Sequence, residues 1–265
     1  MKIGIIGGGN MGFSLFKGMI KSGEYAEGDF IISDKSEKTL ENIRANYNTE
    51  LTSDNIYLVE NCEIIVLAVK PNMIETVLRE IDSKLSSDKL IISFAVGLEI
   101  ARLASYVTDK SVKIVRTMPN TPISVGEGMT SLAFNENFTE EDKEKVFRIF
   151  GSCGVVRELE ERLFNTMSAL TGSGPALMFM FMEALADGAV RYGLGRDLAY
   201  LAAAQVMKGS AELYLESKTH PGILKDNVCS PGGTTIEAVT ALEKNGFRYA
   251  AMEAIEKCVE KAGKM

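Results

Sequence analysis

Near the start of the chain, Gly7-Gly8-Gly9-Asn10-Met11-Gly12 fits the spacing GxGxxG. The pattern is weak alone. Here it follows Lys2-Ile3-Gly4-Ile5-Ile6 and precedes Leu15, Phe16, Met19 and Ile20, which share one helical face. In such a strand–turn–helix, Gly7 permits the tight turn and Gly9 lets backbone approach a pyrophosphate. Gly12 lets the helix pack on the strand. The helix start then offers free N–H groups and a positive dipole end to phosphates. A glycine-rich turn without a ligand is the competing reading.

Asp34 closes the next apolar run, about 20 residues after Gly12. An acidic residue there accepts from an adenosine ribose 2′-hydroxyl and repels a 2′-phosphate, which favours NADH over NADPH. Lys35 and Ser36 pull the other way, since either can bind a phosphate; a solvated loop aspartate is the plain alternative. Ala68-Val69-Lys70-Pro71 ends a later strand-like run and opens a helix. Strand carboxyl ends form the ligand crevice in such sheets, so Lys70 is a candidate to face cofactor or substrate, or else an ordinary exposed lysine. Met118-Pro119-Asn120-Thr121-Pro122 also follows a strand end. Its two prolines make a stiff connector, or a rigid wall beside a nicotinamide with Asn120 on the cofactor side.

Ser230-Pro231-Gly232-Gly233-Thr234-Thr235 precedes a helical stretch from Ile236 to Lys244. Gly232 and Gly233 let backbone N–H groups converge at a helix start, which makes a carboxylate trap. The Thr235 hydroxyl donates and accepts, so it suits an imine nitrogen. A threonine N-cap after a glycine turn is the alternative. His220, the sole histidine, sits in His220-Pro221-Gly222 and reads as a turn residue rather than a base. Reducing a carbonyl usually recruits His or Lys, whereas a protonated imine already carries its proton. No Ser/His/Asp or Cys/His set is apparent, and no metal site is expected.

Elements must position these residues. Lys2–Ile6, Phe30–Ser33, Glu63–Val69, Lys89–Phe94 and Val112–Arg116 are short Ile/Val-rich runs that read as buried parallel strands. Ile74, Val77, Leu78, Ile81 and Leu85 form a helical stripe opened by Pro71, and Ile100, Leu103 and Val107 a shorter one. Met129–Phe134 and Gly154–Glu158 read as weaker strands. Thr139 with Asp142 three residues on has capping-box spacing. The pattern predicts an α/β Rossmann-type N-terminal domain with a doubly wound, mostly parallel sheet, over 1–158. An all-α dimerisation and substrate domain follows over 159–265. Its Leu, Met and Ala stripes exceed what one small bundle hides, so a homodimer at least is expected.

The chain has 265 residues, 46% hydrophobic and 25% charged, with a formal net charge of -7. That excludes a phosphate-tracking nucleic-acid groove and disfavours anionic membranes. The most apolar run, Ala176–Met182, reads as too short to span a bilayer. Cys62, Cys153, Cys229 and Cys258 form no CxxC pair and read as free thiols. The N-terminus runs straight into the glycine motif with no signal segment, so a cytoplasmic location is expected.

These motifs resemble the pyrroline-5-carboxylate reductase family along essentially the whole chain. The resemblance rests on Ile6–Gly12, Ala68–Pro71, Met118–Pro122 and Gly172-Ser173-Gly174-Pro175-Ala176. Above all it rests on His220-Pro221-Gly222 with Leu224-Lys225-Asp226, running into Ser230–Ile236. It implies reduction of the cyclic imine Δ1-pyrroline-5-carboxylate by NADPH or NADH to L-proline, the last step of proline synthesis. It also implies helices that interlock between two chains, with higher rings in some members. Cofactor contacts are implied at Ile6, Gly7, Gly8, Gly9, Asn10, Met11, Asn55, Ala68, Val69, Lys70, Pro71, Phe94, Ala95 and Val96. Substrate contacts are implied at Glu161, Asn227, Thr234 and Thr235, with Ser230 nearby and Thr235 facing the imine nitrogen. Many members prefer NADPH and carry small or basic residues after the second strand, from which Asp34 departs. The rival readings are a β-hydroxyacid-type dehydrogenase, which needs a Lys or His at the nicotinamide, and a non-catalytic NAD(P)-sensing module, which needs no Gly-Gly-Thr-Thr trap.

Overall fold

A computed structural model describes residues 2–263, which fall into two compact units: 2–172 with 259–263, and 173–258. The first unit runs β1 (Ile3–Ile6), α1 (Asn10–Ser22), β2 (Phe30–Ser33), α2 (Glu37–Arg44), β3 (Glu50–Thr52), α3 (Asn55–Asn61) and β4 (Ile64–Leu67). It continues with α4 (Ile74–Ile81), β5 (Leu90–Ser93), α5 (Ile100–Ser105), β6 (Lys113–Met118), β7 (Gly128–Phe134), α6 (Glu140–Gly151), β8 (Gly154–Glu158) and α7 (Phe164–Thr171).

The strands form one sheet in the order β3-β2-β1-β4-β5-β6-β7-β8. Every neighbouring pair is parallel except β6 and β7. The chain leaves β1 toward β2 on one side and β4 on the other, so the switch point lies at β1, where ligands bind in open α/β sheets. The apolar runs are continuous because both faces are covered. Ile3, Ile5, Ile32 and Val66 enter one core with Leu15, Phe16 and Met19 of α1. Ile6, Ile31, Ile65 and Leu67 enter the other with Ile74, Val77, Leu78 and Ile81 of α4. Each such side chain contributes about 1.5–3 kcal/mol by leaving water.

The local signals act as their chemistry requires. Gly23 ends α1 in the left-handed region at φ 76°. Asp142 N–H donates to Thr139 Oγ1, and Thr139 N–H to Asp142 Oδ2, each at 3.2 Å. Pro71 starts a short 3-10 turn ahead of α4.

The second unit holds α8 (Gly174–Arg191), α9 (Arg196–Ser217), α10 (Pro221–Val228), α11 (Thr234–Lys244) and most of α12 (Phe247–Ala262). His220-Pro221-Gly222 is a helix start rather than a turn. His220 is the N-cap of α10, its Nδ1 accepts from Gly222 N–H at 3.1 Å, and Pro221 fits the first helical position. Few side chains here are buried in the single chain. Phe179, Met180 and Leu201 are 64%, 67% and 66% exposed. The run Ala176–Met182 belongs to a longer and mostly unburied stretch, Glu161–Arg191, which by length and composition alone could cross a membrane.

Candidate active site

The glycine loop leaves β1 with the geometry its residues dictate. Gly7 N–H donates to the Ser33 carbonyl at 2.8 Å, and Gly7 sits at φ 106°, where a side chain is strained. A Cβ on Gly12 would stand 2.1 Å from the Gly7 carbonyl oxygen, so only glycine closes the turn. A Cβ on Gly9 would meet nothing within 4 Å; it would project into open space where a ligand can come against bare backbone. Gly9 is the N-cap of α1 and has no side chain to cap it. The first intrahelical bond runs from Phe13 N–H to the Gly9 carbonyl, so the N–H groups of Asn10, Met11 and Gly12 aim out of the helix end. Forced left-handed turn, open Gly9 and uncapped helix start together fit a dinucleotide pyrophosphate.

Beside the loop is a cavity of about 250 Å³. Its lining includes Ile6, Gly7, Asp34, Lys35, Asn55 and Val69. Asp34 is anchored: Oδ2 accepts from Gly8 N–H at 2.9 Å and Oδ1 from Ser36 N–H at 2.8 Å. Asn55 is 3% exposed and accepts from the Ser33 hydroxyl at 2.7 Å. Its Nδ2 donates to Glu80 Oε2 at 2.8 Å. Lys35 is mostly solvated and donates to the Ser53 carbonyl at 3.1 Å.

The other candidates of this unit also cluster at strand carboxyl ends. Ala68 N–H donates to the Ile6 carbonyl at 2.8 Å, which sets Ala68 and Val69 against Gly7. Lys70 is exposed and caps the Pro71–Met73 turn with its carbonyl. Phe94 N–H continues the sheet by donating to the Leu67 carbonyl at 3.1 Å, and Ala95 and Val96 follow. The Asn120 amide is spent on the protein: Oδ1 accepts from Met129 N–H at 2.9 Å and Nδ2 donates to the Thr171 carbonyl at 3.0 Å. Its side chain therefore stiffens the proline loop. Glu161 is likewise engaged. Its Oε1 accepts from Ile100 N–H at 2.8 Å and pairs with Arg116 at 3.0 Å. The Arg116 side chain is 3% exposed, with its guanidinium over the Phe164 ring.

In the second unit, Gly232 takes φ 68° and Gly233 N–H donates to the Ser230 carbonyl at 3.0 Å. Gly233, not a threonine, is the N-cap of α11, and no side chain caps it. Thr234 and Thr235 are the first helical residues, so their amides and that of Ile236 remain unspent within the helix. Thr235 is half-buried and Thr234 exposed. A Cβ on Gly233 would stand 2.3 Å from Ser230 Oγ, so that hydroxyl lies against the turn. Asn227 is exposed in the last turn of α10. Cys62 and Cys153 are poor nucleophile candidates: burial pushes the Cys62 thiol up to about 11 and raises Cys153 as well. Among the described residues no group of three His, Cys, Asp or Glu could hold a metal ion.

Sequence reasoning passed over Glu80 and Arg116. Both act through partners 25 and 45 positions away, and no local spacing marks them.

Residues 161–265 match the family model for pyrroline-5-carboxylate reductase dimerisation, and residues 2–97 match that for coenzyme F420-dependent NADP oxidoreductase. The pyrroline-5-carboxylate reductase of Escherichia coli (strain K12) is 42% identical over 264 residues, covering 100% of this chain and 98% of that protein. The chain belongs to the pyrroline-5-carboxylate reductase family. A second member, from Methanosarcina acetivorans, is 38% identical over 261 residues, 98% of this chain and 96% of that one. A crystal structure of the Plasmodium falciparum pyrroline carboxylate reductase, solved with NADP bound, superposes with a TM-score of 0.90 at 38% identity. That match covers 100% of this chain and 97% of the other. The matched segment holds the exposed apolar helices, and its description as a dimerisation domain supports self-association.

Proposed function

We propose that this protein reduces Δ1-pyrroline-5-carboxylate to L-proline with a reduced nicotinamide dinucleotide. The observation that carries the reading is the pair of uncapped helix starts, each preceded by glycine: α1 behind Gly9 and α11 behind Gly233. One suits a pyrophosphate, the other a small carboxylate. Full-length similarity to family members supports it. Functionally, 1–158 is assigned to the dinucleotide and 159–265 to dimerisation and substrate, supported by the dimerisation model beginning at residue 161.

When bound, a reduced nicotinamide would supply the hydride that the imine carbon takes up. The chain supplies the rest. Backbone amides of Gly7–Gly12 and the α1 terminus hold the pyrophosphate, and Asp34 and Asn55 flank the adenosine end. Val69, Lys70 and Pro71, with Phe94, Ala95 and Val96, line the approach to the nicotinamide; Asn120 stiffens the loop there. The α11 amides behind Ser230, Gly233 and Thr234 take the substrate carboxylate, with Asn227 at their rim. The Thr235 hydroxyl hydrogen-bonds the ring nitrogen and steadies it as the protonated imine becomes an amine. Glu161 acts from behind, through Arg116 and Ile100. Asp34 directs the preference toward NADH. A homodimer or higher oligomer through the C-terminal helices, in the cytoplasm, completes the reading.

The test is steady-state turnover of the purified protein with pyrroline-5-carboxylate and each cofactor, following loss of reduced nicotinamide and appearance of proline. Turnover of a β-hydroxyacid instead, or cofactor binding without turnover, would favour the dehydrogenase or the sensor.

A further inference from the structure

The adenosine-side cavity is walled by two carboxylates, Asp34 and Glu80, and one ammonium, Lys35. Glu80, near the end of α4, does two things. Its Oε2 accepts from Asn55 Nδ2 at 2.8 Å, and its Oε1 stands 3.4 Å from Lys35 Nζ. Lys35 is further held by the Ser53 carbonyl at 3.1 Å. The backbone donors that a phosphate would seek at this edge are also engaged. Asp34 takes the N–H groups of Gly8 and Ser36, and Ser36 Oγ takes that of Thr39.

We infer that Glu80 is a specificity-determining residue for the cofactor, selecting NADH over NADPH by restraining Lys35 and adding a second negative charge to the ribose end. The inference rests on the reading above that this cavity takes the adenosine ribose. A 2′-phosphate brings close to two negative charges and oxygens that only accept. It meets spent donors, two carboxylates and a cation already paired. A ribose diol instead donates, and both carboxylates keep lone pairs for it. Lys35 is mostly solvated and Glu80 partly so, so the effect is a screened one.

The test is Glu80→Gln in the full-length protein, with NADH and NADPH dissociation constants read from fluorescence of the reduced nicotinamide. Glutamine keeps an oxygen for Asn55 while removing the charge and releasing Lys35. The expected result is a gain of about threefold or more in NADPH affinity relative to NADH, shrinking as salt is raised. Lys35→Met probes the same claim without touching Asn55, should Glu80→Gln unfold. With Lys35 restrained by Glu80, its loss costs NADPH less than about threefold relative to NADH. A larger loss confined to NADPH, or an unmoved ratio in a folded Glu80→Gln protein, overturns the inference. If the wild type binds neither cofactor, the dinucleotide reading itself falls and this one with it.

Discussion

A Cβ on Gly18 would stand 2.2 Å from the carbonyl oxygen of Ile123. Gly18 lies mid-way along α1, and Ile123 in the 3-10 turn Thr121–Val125 just past the proline loop. The helix whose start we propose holds the pyrophosphate is thus packed bare against the segment next to the loop proposed to wall the nicotinamide end. The absence of one side chain sets the spacing between α1 and the Thr121–Val125 turn.

Gly18→Ala should therefore force the proline loop outward. Overpacking of this kind costs about 1–3 kcal/mol, against the roughly 0.5–1 kcal/mol that alanine normally gains over glycine in a helix. Denaturant unfolding should show net destabilisation, and the KM for cofactor should rise. A stabilised variant with unchanged kinetics would show that the contact relaxes freely.

Thr235→Ala should lower kcat by about tenfold or more, since a hydroxyl that follows the changing charge on nitrogen acts mainly in the transition state. Cofactor dissociation constants should stay within about twofold. Equal turnover would remove Thr235 from the chemistry.

Glu161→Ala should cost stability as well as any activity. It strips the partner from Arg116, whose side chain is 3% exposed and whose Nε has no hydrogen-bond partner. An uncompensated buried charge costs about 3 kcal/mol or more. Glu161→Gln keeps an acceptor for Ile100 N–H and should lose less. A stability unchanged in both, with a raised KM for the imino acid, would instead make Glu161 a direct substrate ligand.

Asp142 joins the capping box to Lys113. Burial alone would raise its pKa, but hydrogen bonds from Lys113 and Thr139 outweigh that and hold it below its ordinary 3.8. A depressed carboxylate contributes stability that is full above 3.8 and is lost as pH falls through the lower folded value. Asp142→Asn should therefore be destabilised by about 1 kcal/mol at neutral pH, with the gap to wild type closing below pH 3.8. A gap that stays constant down to acid would show that the charge is not what stabilises.

How much of this was legible follows from where each signal lies. The central strands announce themselves because Ile5, Ile32, Ile65 and Ile92 are buried on both faces, leaving no polar alternation. The three-residue edge strand Glu50–Thr52 is half-exposed and carries no such run, so it was silent. Nothing in Gly128–Phe134 encodes that it runs antiparallel to β6; direction is set by the connection 119–127, which is too short for the crossover of about a dozen residues that a parallel pair needs. His220-Pro221-Gly222 resembled a turn because proline and glycine break helices, yet proline is welcome at a helix's first position. The glycine loop is readable because Gly7 has a positive φ, Gly12 would clash with backbone, and Gly9 leaves bare backbone facing open space, each at its place in the GxGxxG spacing. The Ser33–Asn55–Glu80 chain was not, because its members meet only after the sheet has assembled.

The central claim is hydride transfer to a cyclic imine, and isotope tracing tests it most directly. Reduced cofactor carrying deuterium at its transferring position should yield proline with one deuterium on the former imine carbon, in equal amount to cofactor oxidised. Oxidation of the cofactor without labelled proline, or label lost to water, would contradict the account.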